Sequence, residues 1–477
     1  MNREKNITPK AVRSWLGIQY ATAERFQSPT LLPFNPDLPY DQKGTAPLQA
    51  GDTSWLEADN GFSEDCLNLN VWAPEDIDEE YIPVIVYIFG GGWMSGANTQ
   101  TVSNASGLAS TGRVIGVSIN YRLGAFGALS LSQYGGAFAK ATNLCLQDII
   151  TALKWVKQNI ARFGGDPNNV TITGHSAGAF SALALLAAPS ADGLFHRIAA
   201  FSGMPSRQVP AWSAEERAVA VLKLLGIEDN PEQLLNIDGK LLADTMNKTV
   251  YTDPGVGHGT DNECVATVDD SHLSNGVLIN HPMRILESGQ HKDIDILFSS
   301  TTYETGWWVL YKTDDFDPKS IDNLVKEFAN RNRIPRSRAR QIIDTYNVEG
   351  RTPVEVRGLL LTDYSFTLPQ TRGALAHAAA GGKSYLICVG PVEGVPAVHG
   401  TEMYGIVGQQ SPGASKEQIV RDNFVRDALI DFATGKHEQL WKPVTDELTV
   451  KGIGNPPYDA TAHALNVLKV FEGIERT

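Results

Sequence analysis

Ser176 stands in Gly174-His175-Ser176-Ala177-Gly178, between the β-branched run Val170-Thr171-Ile172-Thr173 and a helix-like stretch from Ala179 to Ala188. A serine on a tight strand-to-helix turn is forced into a strained backbone, and its neighbours must be small because strand and helix pass close together. Its hydroxyl is then presented at the carboxyl end of a sheet, over a helix amino terminus. That placement suits nucleophilic attack on a carbonyl. It requires a base, a carboxylate to orient the base, and donors for the developing oxyanion. The five-residue pattern alone recurs by chance, and its strand-turn-helix setting gives it weight.

Ten histidines are available as the base. His399 lies in the glycine-rich loop Gly394-Val395-Pro396-Ala397-Val398-His399-Gly400, shortly after the apolar strand Tyr385–Val389. That is a suitable place for a base, although position alone equally fits an exposed loop histidine. His175 adjoins the serine, but neighbours on a tight turn point different ways, so it reads as a supporting or surface group. Glu304 follows the strand Ile296-Leu297-Phe298, where an orienting acid belongs; Asp293, Asp295, Asp314 and Asp315 are close by. Gly90-Gly91-Gly92-Trp93 directly follows the apolar run Val84–Phe89. Glycines there let the backbone approach a ligand and aim N–H groups into a site. The N–H groups of Gly91, Gly92 and Ala177 thus form a candidate three-donor oxyanion hole. Trp93, Phe126, Trp307 and Trp308 are candidates for an apolar substrate wall, and each fits equally as core.

The elements that must position these groups alternate between strand and helix from Leu67 to Phe201, as in a doubly wound parallel sheet. Strands are expected at Leu67–Trp72, Val84–Phe89, Val114–Asn120, Val170–Thr173, Ile198–Ser202, Ile294–Ser299 and Tyr385–Val389. Gln147–Ile160 repeats apolar residues with a helical period, and Asp422–Thr434 reads as a late amphipathic helix. A single α/β domain over 1-477 is expected, with helical insertions at 205-290 and 305-380 forming a cap. A glycine-rich loop lies at Asp253–Gly259 within the first of them.

The 477 residues carry a net charge of -14 and no dense lysine and arginine run, which argues against nucleic acid as a partner. No stretch approaches the length of a membrane span, and Met1-Asn2-Arg3-Glu4-Lys5 leads into no signal-like apolar core. The four cysteines, Cys66, Cys145, Cys264 and Cys388, lack metal-ligand spacing. A cytoplasmic enzyme without metal or organic cofactor, acting on a small molecule, is expected.

Several longer motifs then fall into register. Gly17-Ile18-Gln19-Tyr20-Ala21, Ser63-Glu64-Asp65-Cys66-Leu67-Asn68-Leu69-Asn70-Val71-Trp72, Asn120-Tyr121-Arg122-Leu123-Gly124, Phe163-Gly164-Gly165-Asp166-Pro167 and His399-Gly400-Thr401-Glu402 together resemble the type-B carboxylesterase/lipase family. The resemblance covers nearly the whole chain. It implies an α/β-hydrolase fold and hydrolysis of carboxylic esters through an acyl-enzyme. It also implies Ser176 as nucleophile, His399 as base, and Gly91, Gly92 and Ala177 as oxyanion donors. Aligned without a gap from the preceding strand, the family's acid falls on Glu304; anchoring on Gly306 instead would place Thr305 there. The family commonly has glutamate where His175 stands and histidine where Phe89 stands. Ala46 replaces the usual disulfide partner of Cys66, so Cys66 is expected to be a free thiol. The loop Asp41–Asn60, often a tethered lid, is polar here and expected to be untethered, which favours soluble esters over a lipase acting on acylglycerols. Relatives that serve only as binding or adhesion modules have typically lost the serine or the histidine, and both are present.

Overall fold

The computed structural model describes residues 9–77, 80–206, 208–249, 267–310, 316–439, 441–454 and 459–475. The glycine-rich loop Asp253–Gly259, Cys264, Asp314 and Asp315 lie outside the described residues. A nine-stranded sheet forms the centre. Its strands are β1 (Val12–Gln19), β2 (Asn68–Pro74), β3 (Ile82–Ile88), β4 (Ile115–Ile119), β5 (Gly165–His175), β6 (Arg197–Phe201), β7 (Asp295–Thr301), β8 (Ser384–Val389) and β9 (Lys451–Ile453). They are ordered β1-β2-β4-β3-β5-β6-β7-β8-β9. β1 and β4 both run antiparallel to β2, whereas β4, β3, β5, β6, β7, β8 and β9 are mutually parallel.

The parallel strands read as continuous apolar runs because helices cover both faces of the sheet. β8 is buried throughout, and β3 nearly so. α1 (Leu144–Asn159) and α2 (Ala177–Ala184) carry much of that cover: every residue of α2 is buried, and most of α1. The expected inner strands are all present, six of them within two residues of their anticipated ends; β5 begins at Gly165, five residues before the expected Val170. Two edge strands go beyond them: β1, which carries Gly17 and Ile18, and the three-residue β9. Both are short of continuous apolar sequence because an edge strand packs less of its surface.

Residues 205–290 hold α3 (Ala211–Leu225), α4 (Gly239–Asn247) and a short parallel strand pair, Gln208–Pro210 with Thr267–Asp269; α5 (Ile321–Asn332), α6 (Arg336–Asp344), α7 (Pro353–Thr362) and α8 (Leu368–Ala379) lie within 305–380. A π-helical turn, Asp363–Thr367, joins α7 to α8. α9 (Lys416–Ala433) begins earlier than its amphipathic pattern suggested, because Ser415 and Gln418 form a capping box. α10 (Ala460–Val470) follows the last strand. Two apolar clusters result. The larger surrounds the sheet; the smaller gathers Phe328, Ile343, Leu360, Tyr364 and the α10-side residues Val467 and Phe471.

Candidate active site

β5 ends at His175, and Ser176 caps α2 with φ 53° and ψ -126°. A β-carbon-bearing residue at positive φ is strained, and the surroundings hold it there. The Ser176 N–H donates to the Phe201 carbonyl at 2.9 Å, which pins the turn to the end of β6. Gly178 must lack a side chain, since a methyl group there would overlap the Ile88 carbonyl.

His399 reaches this turn from the loop after β8. Its Nε2 lies 2.9 Å from Ser176 Oγ, and its Nδ1 lies 2.7 Å from Glu304 Oε2. With Nδ1–H donating to Glu304, Nε2 is left as the acceptor for the serine hydroxyl. The three residues expected from sequence are therefore brought together. Glu304 is fully buried just beyond β7. Its Oε1 accepts the Thr301 N–H at 2.7 Å, and its own carbonyl accepts the His399 N–H at 3.1 Å. Thr305 instead donates its hydroxyl to the Gly358 carbonyl, on α7, and its N–H to Thr362 Oγ1. Asp293 and Asp295 sit at the opposite end of β7.

The loop Gly90–Trp93 follows β3 beside Ser176. Gly91 has φ 112°, and a β-carbon on it would overlap the Ser95 carbonyl. Its carbonyl accepts the N–H groups of Met94 and Ser95, both at 3.0 Å, which tightens the turn. Trp93 is buried: its indole N–H donates to Ser181 Oγ at 2.9 Å, and its carbonyl accepts from Gly124 N–H at 2.7 Å. It therefore braces the glycine loop against α2. Phe126 is also buried, with the Arg25 guanidinium 5.5 Å from its ring centre. Trp307 is 41 % exposed and packs edge-on against Trp308. Of these four rings, Trp308 comes to the base, its centre 5.9 Å from that of His399.

Three further groups enclose His399 or Glu304. His175 is buried, its ring centre 4.7 Å from that of His399, and its Nε2 has no partner among the described residues. Burial, reinforced by the nearby His399, holds its basicity well below the usual imidazole range. It thus stays neutral. Phe366 closes another side, its ring centre 5.6 Å away. Ser202, itself at φ 51°, places Oγ 2.7 Å from Glu304 Oε1 and 2.6 Å from Glu402 Oε1. A hydroxyl has one proton, so it cannot donate to two carboxylates at once. Protonated Glu402 resolves this by donating to Ser202, which donates to Glu304. Burial and the neighbouring Glu304 push Glu402 up to about 7. Ser202 ends an expected strand and Glu402 ends the motif His399-Gly400-Thr401-Glu402, but no spacing rule linked them to Glu304; only the fold does.

The loop expected to be free is held by polar contacts instead of a disulfide. Gly51 N–H donates to Asp244 on α4 at 3.0 Å, and Glu57 accepts from Thr101. Ala46 is buried in a strand pairing with Phe62, and Cys66 is a buried thiol outside any disulfide. Among the described residues no helix is long and apolar enough to cross a membrane.

A sequence model described as "Carboxylesterase family" matches residues 2–450. Para-nitrobenzyl esterase of Bacillus subtilis (strain 168) is 41% identical over 233 residues, 47% of this chain and 47% of that protein. The aligned part thus spans about half the length of that relative. Acetylcholinesterase of Leptinotarsa decemlineata is 30% identical over 447 residues, covering 83% of this chain and 68% of that protein. A solved structure of "PNB esterase" superposes with a TM-score of 0.78 at 28% identity, over 96% of each chain.

Proposed function

Since the chain belongs to the carboxylesterase family, we propose that it hydrolyses carboxylic esters by two-step acyl transfer. The hydrogen-bonded series Ser176–His399–Glu304 is the observation that carries this reading. His399 takes the Ser176 proton as the hydroxyl attacks the ester carbonyl. The amides of Gly91, Gly92 and Ala177 stabilise the tetrahedral oxyanion, an effect worth about 2.7–4 kcal/mol per donor in related chemistry. His399 then protonates the departing alcohol, and water releases the acyl group by the same steps. Glu304 fixes the imidazole tautomer and balances its transient charge. No step calls for a metal or organic cofactor.

Small to medium soluble esters are the proposed substrates. Support comes from the polar anchoring of the loop 41–60 to α4 and to Thr101, which makes it a poor interfacial lid. Rates against tributyrin across its solubility limit test this; a jump at the interface would favour a lipase. Trp308, beside the base, is the better-placed wall for a substrate, with Trp307 at the exposed margin. Trp93 and Phe126 act from beneath as core.

We read the chain as one catalytic domain, with the segments 205–290 and 305–380 as cap. Limited proteolysis should then release no independently folded half. A cytoplasmic location fits Cys66 as a buried thiol, and cell fractionation checks it. For the reaction itself, Ser176→Ala should abolish p-nitrophenyl ester hydrolysis, and retained turnover would exclude the mechanism.

A further inference from the structure

The π-helical turn Asp363–Thr367 stands at a junction. One of its residues, Phe366, packs on the imidazole of His399. Another, Asp363, is 4% exposed and bound from two other parts of the chain. His463 Nε2, on α10, lies 2.8 Å from Asp363 Oδ1, and the Tyr346 hydroxyl donates to Oδ2 at 2.9 Å. The preceding residue, Thr362, accepts the N–H of Thr305, the neighbour of the triad acid, at 3.2 Å. Tyr364 is wedged between Phe328 and Phe471, with ring centres 5.1 and 5.6 Å away. A π-turn costs backbone free energy relative to continuous α-helix, so it persists only where its surroundings hold it. Tyr346 and His463 are the groups that hold it at Asp363. α10 also lies beyond residue 450, where the family match stops.

We propose that His463 is a remote positioning residue: through its ion pair with Asp363 it fixes the π-turn, and through Phe366 it fixes the imidazole of His399. The inference rests on the hydrolase reading above. The coupling is titratable because its cation is an imidazole. The hydrogen bond to Asp363, with its charge, raises His463 above the usual imidazole range against the opposing effect of burial. The other charged groups on the packed elements are differently engaged. Arg372 on α8 donates to the carbonyls of Ile474 and Phe471. Lys451 on β9 lies over Phe424. On α10 itself, Asp459 caps the first turn and Lys469 lies in the last. A raised imidazole is charged, and its pair intact, at low and neutral pH. The pair is lost as pH rises through the raised value. The latch therefore loosens on the alkaline side, where a neutral base is otherwise favoured.

The test is kcat, KM and melting temperature of wild type, His463→Ala, His463→Arg and Phe366→Ala between pH 6 and 9, with p-nitrophenyl acetate, well below each melting temperature. His463→Ala is expected to lower kcat about 3- to 10-fold with little change in KM, because small misplacements of a catalytic group slow chemistry more than binding. His463→Arg, permanently charged, should restore kcat and remove the part of the alkaline decline that His463 causes. Phe366→Ala should reproduce the kcat loss without altering how melting temperature depends on pH. Wild-type kcat in folded His463→Ala, or an unchanged alkaline decline in His463→Arg, would overturn this inference while leaving the hydrolase reading intact. Wild-type protein inert to both ester and fluorophosphonate would overturn both.

Discussion

Two buried polar clusters in this molecule are built on opposite electrostatic plans. On α1, Asp148 meets Arg122 with two guanidinium–carboxylate contacts of 2.8 and 2.7 Å. The Arg122 N–H adds a third contact to Asp148, and the Gln27 carbonyl takes another guanidinium donor. Both side chains are almost fully buried and their charges cancel. Behind Ser176 and His399, two fully buried acids, Glu304 and Glu402, share one serine hydroxyl, that of Ser202, and Glu402 Oε2 has no partner among the described residues. Among the described residues the titratable rings beside this pair are His399, which contacts Glu304, and His175, which burial holds neutral. The first cluster is closed and serves stability. The second is left short of positive charge, which suits the proposed reaction, in which His399 would become an imidazolium only transiently.

This contrast can be broken in order of effect. Ser176→Ala should reduce kcat by about 10⁶ against p-nitrophenyl esters, by analogy with other serine hydrolases, while thermal stability holds. Glu304→Gln should cost about 10⁴, because the wrong tautomer of His399 then faces the serine; near-wild-type turnover would move the acid elsewhere. In the closed cluster the loss should appear in stability instead. Asp148→Ala strands the Arg122 charge and should cost about 3–5 kcal/mol, read as a lowered denaturant midpoint, with kcat per folded molecule retained.

The two titrating neighbours of the triad should act more gently and with opposite signs. His175 is held neutral by burial, so it takes up a proton on unfolding below about 6.5, and wild type loses stability as pH falls through that range. His175→Gln should flatten the acid side of a plot of melting temperature against pH; an unchanged slope would show that other groups cause it. Glu402, pushed up to about 7, holds a proton in the fold that it gives up on unfolding. Its contribution to stability therefore declines as pH rises from the ordinary carboxylate range toward 7. Glu402→Gln should remove that slope and leave kcat near wild type at pH 6, the smallest effect of the series.

What could be read in advance follows from what local sequence encodes. The inner strands were legible because burial on both faces writes itself as runs such as Val84–Tyr87. The nucleophile turn was legible because close backbone approach demands small residues at fixed offsets. Glu304 was legible only through the family register, since several carboxylates crowd that stretch. The edge strands β1 and β9 left a weaker trace, being short or half-covered. Of the rings around His399, Phe366 was hidden altogether, because it arrives through a π-turn with no local signature; His175 was legible only as a supporting or surface group, and its packing on His399 was not. The aromatic residues show the same limit, for Trp93 and Trp308 are equally bulky in sequence but lie beneath and beside the site respectively.

In the proposed reaction Ser176, activated by His399, carries the acyl group. Titrating the protein with a fluorophosphonate and locating the adduct by peptide mass spectrometry tests this assignment. One adduct per chain on Ser176, activity lost in proportion to labelling, and no adduct in Ser176→Ala are expected. Labelling at another residue, or ester hydrolysis that persists once Ser176 is fully modified, would contradict it.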